Sequence, residues 1–177
     1  MEGEDVELDR TLVEELADPL VHMIRNAMDH GIEPPEERKQ AGKPAAGRLK
    51  LSAAHQAGQI AIEISDDGRG LDRRRILSKA VAKGLAAPGA NPGDQEIYHL
   101  IFQPGFSTAE RVTDVSGRGV GMDVVRRQVE KLRGRIEVES SPGRGSRFLL
   151  KLPLTLAIIE GLVVLAENQD SVTLVHR

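Results

Sequence analysis

Twelve of the 18 glycines in this 177-residue chain lie between Gly68 and Gly145. A glycine in the interior of a helix or strand costs roughly 0.5–1 kcal/mol relative to alanine. The middle of the chain is therefore neither a bundle of long helices nor a sheet of uninterrupted strands. It must be short elements separated by turns, and glycine crowding within a domain points to backbone lying close to a ligand.

Between the glycines the apolar residues follow two periods. Leu49, Leu51 and Ala53 alternate with other residues, as do Ile60, Ile62 and Ile64, so two strands flank a hairpin turn at residues 55–58. Residues 135–141 and 146–152 form a second strand pair around the turn Pro142-Gly143-Arg144-Gly145. Leu12, Val13 and Leu16 have helical spacing. Asp18-Pro19 reads as an N-cap and first helical residue, opening a second helix that ends at His30 before Gly31. Leu20, Ile24, Ala27 and Met28 are its expected core face. Residues 33–47 are punctuation with room for one helical turn. Asp72 caps a helix carrying Ile76, Leu77, Ala80 and Val81, which Gly84 stops; residues 94–102 are a short helix, and residues 120–132 an amphipathic one. Hairpins combined with helices of one apolar face give an α/β fold, a two-layer sandwich with a mixed β-sheet and helices on one face. After Pro153 the character changes. Residues 156–166 and 171–176 read as two strands, so residues 1–153 form one domain and residues 154–177 the truncated start of a second, β-rich one.

Composition narrows the function classes. A net charge of −3 lacks the basic footprint of a general nucleic-acid binder, and one Tyr, three Phe and no Trp supply no stacking platform. With no Cys there is no disulfide, thiolate zinc site or cysteine nucleophile. The most apolar run, residues 156–166, is short and contains Glu160 and Gly161, so no membrane insertion is expected; the acidic first residues do not read as a signal peptide, and the expected location is cytoplasmic.

Four constellations carry chemistry. At 100° per residue, His22, Arg25, Asn26, Asp29 and His30 share one helical face. A solvated face is usually Lys and Glu, whereas Asn and His are poorer helix formers and good partners for metal-bound phosphate. Asp66-Asp67-Gly68-Arg69-Gly70 ends a strand, where a carboxylate can accept a hydrogen bond from an exocyclic amine and glycines let a flat base approach the backbone. Gly117-Arg118-Gly119-Val120-Gly121-Met122 opens a helix, a source of N–H donors and positive dipole for an anion. It does not follow a strand directly, as a dinucleotide fingerprint would, and lacks the Lys-Ser/Thr ending of a P-loop. Gly143-Arg144-Gly145-Ser146 enters the last strand of the domain. Each is weak alone; D-x-G-x-G is also a common turn, and G-x-G-S a plain hairpin.

Their order is specific. Helix with Asn, hairpin, D-x-G-x-G, long loop, G-x-G-x-G, helix and G-x-G-S is the serial arrangement of the ATP-binding fold shared by gyrase, heat-shock chaperones, histidine kinases and mismatch-repair ATPases. The boxes from His22 to Glu33, Glu37-Arg38, Gly42-Lys43-Pro44, Asp66 to Gly70, residues 102–108 and residues 115–125 closely resemble the ATP-binding catalytic domain of the chemotaxis histidine kinase family, CheA. The resemblance covers roughly residues 4–166. It implies a Bergerat-type fold with ATP and Mg2+ as cofactors. Asn26 would ligate the magnesium and Asp66 would receive the adenine amine, with Gly68 and Gly70 under the base. Ser146, where the family usually has Thr, would stand beside Asp66. Arg75 and Lys79 would reach phosphates, although Arg75 also fits a plain solvated run. Phe102, Phe106, Ser107 and Thr108 would hinge a lid over residues 86–118, and residues 117–122 would cradle the phosphates. Hydrolytic members of the wider group carry Glu where this chain has His22, which implies phosphoryl transfer to histidine rather than to water. The rival readings are a clamp-type ATPase and a nucleotide-binding scaffold.

The resemblance also implies partners: a histidine-phosphotransfer domain as substrate, response regulators downstream, and a coupling adaptor and chemoreceptors in the full-length protein. Residues 154–177 would begin a CheW-like regulatory domain. No acceptor helix or dimerisation hairpin is encoded here, so this chain is expected to be a monomer.

Overall fold

The computed structural model describes residues 10–106, 121–153, 163–166 and 172–175. Helix α1 (Arg10–Asn26) runs into a π-helical turn, Ala27–Gly31, and α2 (Pro35–Gln40) follows. Strands β1 (Leu49–Gln56) and β2 (Gln59–Asp66) form the first hairpin. Helices α3 (Arg73–Ala82), α4 (Asp94–His99) and α5 (Met122–Lys131) lead to the second hairpin, β3 (Arg135–Ser141) and β4 (Gly145–Pro153). Strands β5 (Val163–Ala166) and β6 (Val172–Val175) pair with each other in a separate antiparallel ribbon.

The main sheet has the order β1-β2-β4-β3, with every pairing antiparallel. The expected α/β two-layer class holds, but the described sheet is antiparallel, not mixed. It is two hairpins joined through their second strands, and each hairpin fixes antiparallel pairing by its own turn. Ala57 and Gly58 both have positive φ, at 49° and 75°, as a two-residue type I′ turn requires.

Strand alternation sets up the core and the site together. Ile60, Ile62 and Ile64 point to the helix layer, joined by Leu150 and Leu152 of β4 and Ile136 and Val138 of β3. Continuing that period by two residues puts Asp66 on the same inward face at the end of β2, and Ser146 occupies the matching inward position at the start of β4. The opposite face carries ion pairs, Arg147 with Glu63 at 2.7 Å and with Glu139 at 3.1 Å, and Lys151 with Glu137 at 2.7 Å.

Three expectations are corrected here. Residues 10–26 are one helix, not two: Pro19 lies inside α1 and is itself buried, so packing of the apolar stripe outweighs the missing N–H. That stripe is Leu12, Leu16, Pro19, Met23 and Ala27. Leu20 and Ile24 lie only at its margin, and Met28 is 60% exposed, because the π turn rotates the residues after Asn26 off the helical register. Finally, residues 97–106 of the expected lid pack onto the core, whereas none of residues 86–96 is buried. Ile97, Tyr98, Ile101, Phe102 and Phe106 are all buried, so this second part is anchored. Residues 107–118 of that segment lie outside the described residues.

Candidate nucleotide site

One side of the candidate site is built on Asp66. Its carboxylate accepts from Ser146 Oγ at 2.5 Å on one oxygen and from the Gly68 N–H at 2.9 Å on the other. Both bonds fix the carboxylate plane, and Ser146 does so across 80 residues of sequence. The loop that follows is tied down at both ends. Arg69 N–H donates to Gly31 O at 2.9 Å, and Gly143 N–H to Arg69 O at 2.8 Å. Leu71 N–H donates to Ser140 Oγ at 2.7 Å. Backbone approach is so close that only glycine fits at two points. A Cβ at Gly68 would lie 2.1 Å from Gly31 O, and one at Gly145 (φ +96°) would lie 1.8 Å from Asp66 O. Gly31, read from sequence only as a helix stop, therefore shares in the site: a Cβ there would sit 3.5 Å from the Asp66 carboxylate.

Behind this loop lies an ionic network to which the sequence reading gave no role. The Arg38 side chain is fully buried. It donates to Pro44 O at 2.8 Å, Glu33 Oε2 at 3.1 Å and Asp67 Oδ2 at 2.9 Å. Lys43 Nζ donates to Glu33 Oε1 at 2.8 Å and to the carbonyls of Asp67 and Gly68 at 2.9 and 2.8 Å. Burial pushes the Asp67 carboxyl up, but donation from the Arg48 N–H and from Arg38 outweighs it and holds the group below the usual carboxylate range. Glu33 is likewise held low, with Lys43 overcoming the effect of burial. The only sequence signal was the presence of Glu33, Arg38 and Lys43 among the boxes of the resemblance.

The other side of the candidate site is assembled from α1 and α5. Glu15 near the start of α1 pairs with Lys131 at the end of α5 at 3.1 Å, while Asn26 at the end of α1 meets Met122 at the start of α5. The helices are thus antiparallel, and Asn26 stands at the N-terminus of α5, the positive end of its dipole. Asn26 Nδ2 donates to Met122 Sδ at 3.3 Å. His22, one turn earlier on α1, is half-buried. Burial, then the Arg25 guanidinium, pulls its pKa below the ordinary histidine value, and Asp123 on α5 offsets them only in part. Gly121 is the N-cap of α5. His22 and Asn26 flank the core stripe of α1 rather than opposing it, which is what brings them against α5.

The other expected site residues are more scattered. Arg25, Asp29 and His30 are exposed, and the π turn breaks their common face with Asn26. Arg75 is exposed and Lys79 half-buried, one turn apart on α3. Gly70 (φ +75°) lies against Ser141 O beside the Asp66 loop. Phe106 is buried in the core. Ser107, Thr108, Gly117, Arg118, Gly119 and Val120 lie outside the described residues.

A carboxylate fixed at a strand end under a glycine loop, an Asn at a helix junction and a sheet covered by helices on one side define a nucleotide-binding α/β domain. The family described as histidine kinase-, DNA gyrase B-, and HSP90-like ATPase matches residues 15–156, and the chain belongs to that family. It is 52% identical over 171 residues to the chemotaxis protein CheA of Rhizobium meliloti, covering 97% of this chain and 23% of that protein. It is 55% identical over 162 residues to CheA of Salmonella typhimurium, covering 92% and 24%. To the sensor histidine kinase CheAY of Helicobacter pylori it is 54% identical over 166 residues, covering 93% and 21%. The chain thus spans about a quarter of the length of these relatives. Among solved structures, the Erythrobacter litoralis EL346 blue-light activated histidine kinase superposes with a TM-score of 0.51 at 17% identity, covering 86% of this chain and 33% of that one. The catalytic domain of histidine kinase ThkA superposes with a TM-score of 0.50 at 19% identity, covering 87% and 76%. Both likenesses bear on the fold, and both agree with the Bergerat-type architecture.

Proposed function

We propose that this chain binds ATP with Mg2+ and transfers the γ-phosphate to a histidine on a separate phosphoacceptor domain, within chemotaxis-type two-component signalling. The observation that carries the choice of reaction is His22. It stands one helical turn before Asn26, where the hydrolytic relatives implied by the resemblance carry a glutamate base for water. Its lowered pKa makes it a weak base, neutral near pH 7. An acceptor imidazole is already nucleophilic when neutral and needs no strong base. Its nitrogen bonds to the γ-phosphorus as the bond to the bridging oxygen breaks, and ADP leaves with the electron pair. The names of the relatives, CheA and sensor histidine kinase, support this class.

The roles follow from position. Asp66, held by Ser146 and Gly68, accepts from the adenine amine. Gly68 and Gly70 lie against the base. His22 positions the γ-phosphate or the incoming imidazole. Arg75, Lys79 and residues 117–122 bear on the phosphates, and Arg25 lies close enough to His22 to act on its charge. Asn26 fits a nucleotide-borne magnesium, which keeps most of its water and takes only one or two protein oxygens. When bound, that ion neutralises charge on the phosphate oxygens. Residues 154–177, including β5 and β6, begin a CheW-like regulatory domain. Response regulators, a coupling adaptor and chemoreceptors are partners of the longer protein, which acts in the cytoplasm.

The test is radiolabelled Mg-ATP with and without a histidine-bearing phosphoacceptor domain, read as acid-labile phosphohistidine and as free phosphate. The acceptor becomes labelled, inefficiently because the two domains are untethered, while this chain alone stays unlabelled and releases phosphate slowly. His22→Ala impairs transfer more than binding. Rapid phosphate release with no labelled acceptor would instead identify a clamp-type ATPase.

A further inference from the structure

We infer that Met122 is a positioning residue that sets which end of the Asn26 carboxamide is offered to a nucleotide-borne magnesium. This rests on the function proposed above for Asn26. A carboxamide has two chemically opposite ends, an NH2 that only donates and an oxygen that only accepts. Magnesium takes only the oxygen. An Asn at a metal site therefore works in one of its two flip states, and something must choose between them.

The thioether of Met122 makes that choice. A thioether sulfur carries no proton and accepts only. It stands 3.3 Å from Asn26 Nδ2 and receives its N–H. The flipped amide would bring oxygen and sulfur lone pairs together and lose the bond. With the NH2 end held by sulfur, Oδ1 is the end left for the ion.

The sulfur is well placed to do this because its own position is fixed. Met122 is the first residue of α5, directly after the N-cap Gly121, and its side chain packs against the hydrophobic core. Val125 and Val129, further along the same helix, are completely buried. Asn26 is held from the other side as the last residue of α1 before the π turn. The two partners are 96 residues apart in sequence, so the contact joins the metal Asn to the helix that the glycine box opens.

The experiment compares the parent chain with Met122→Leu, a volume-conserving exchange that removes the acceptor. ATP affinity is measured by titration calorimetry with Mg2+ and with EDTA, and the Asn26 side-chain NH2 resonances are followed by NMR without nucleotide. Met122→Leu is expected to shift the Asn26 NH2 pair and to lower the Mg2+-dependent gain in affinity about 3- to 10-fold, the scale of one modest hydrogen bond. The affinity lost in EDTA is smaller than the affinity lost with Mg2+. Biosynthetic norleucine, which replaces methionine sulfur by a methylene, gives the same result should leucine disturb packing. An unchanged NH2 pair, or an equal loss with and without Mg2+, would overturn this inference alone. Asn26→Ala serves as the reference: if it leaves the Mg2+-dependent gain intact, the assignment of Asn26 to the metal fails, and the role of Met122 toward that metal fails with it.

Discussion

The two sides of the candidate site, proposed to hold the base and the phosphates, are built to different standards. Asp66 has both oxygens bonded within the fold, its loop is stitched to the π turn and to the β3–β4 turn, and the buried Arg38 network backs it. Across the site, Asn26 is joined to α5 by one bond to a thioether. A pocket for a flat, chemically constant base gains from rigidity, because nothing in it changes during the reaction. The groups that handle phosphate must admit a charged ligand and let it go. Under the proposed function, the difference teaches that recognition is pre-formed and that the reactive end is completed by the nucleotide.

The largest effect should come from breaking the rigid side. Gly145→Ala puts a Cβ against Asp66 O in a left-handed conformation, and should lower stability by about 3–5 kcal/mol in urea unfolding. Gly143→Ala, two residues earlier with φ +73° but open space around it, should cost only about 1 kcal/mol. Similar losses for the two would mean that close approach at Gly145 is not what fixes the base side.

Next in size is Asp66→Asn. The carboxylate accepts from both Ser146 and Gly68, and an amide would turn an NH2 toward one of them and toward the adenine amine. ATP affinity should fall by about 1–3 kcal/mol, roughly 5- to 150-fold, with or without Mg2+. Parent-like affinity in calorimetry would remove Asp66 from the site.

The smallest effect sharpens the phosphate side. The His22 ring should titrate below the ordinary histidine value of about 6.5 in an NMR pH series. Its folded pKa is lowered, so between that pKa and 6.5 the unfolded chain binds more protons. The His22 contribution to stability is complete above pH 6.5 and is lost as pH falls through that window. His22→Gln should flatten the pH dependence of stability there. A midpoint above 6.5 would contradict the burial and the Arg25 charge as the dominant influences on His22.

How much of this was legible in the sequence depended on how local the cause was. The Asp72 cap on α3, the I′ hairpin and the turn glycines of β3–β4 were readable because each is fixed within a few residues. Asp66 and Ser146 were readable as a pair only through the order of the boxes, since strand pairing and not sequence distance brings them together. Arg38 was not readable from its surroundings. Glu36 to Gln40 has the composition of a solvated turn, and what buries Arg38 is Asp67, 29 residues away. The π turn at Ala27–Gly31 leaves no periodic signature in five residues, yet it moves Met28 out of the core and presents Gly31 O to the Asp66 loop. Pro19 misled because its local rule, a helix start, yielded to the packing of α1.

Amide hydrogen exchange, read residue by residue before and after Mg-ATP, tests the asymmetry most directly. Gly68 and Arg69, whose N–H groups are bonded to Asp66 and Gly31, should be protected before nucleotide is added and change little afterwards. Met122 and Asp123, in the first turn of α5 where helical N–H groups have no intrahelical partner, should exchange fast at first and gain protection on binding. Fast exchange at Gly68 and Arg69 without nucleotide, or an equal gain on both sides, would contradict a pre-formed base side facing a phosphate side completed by the ligand.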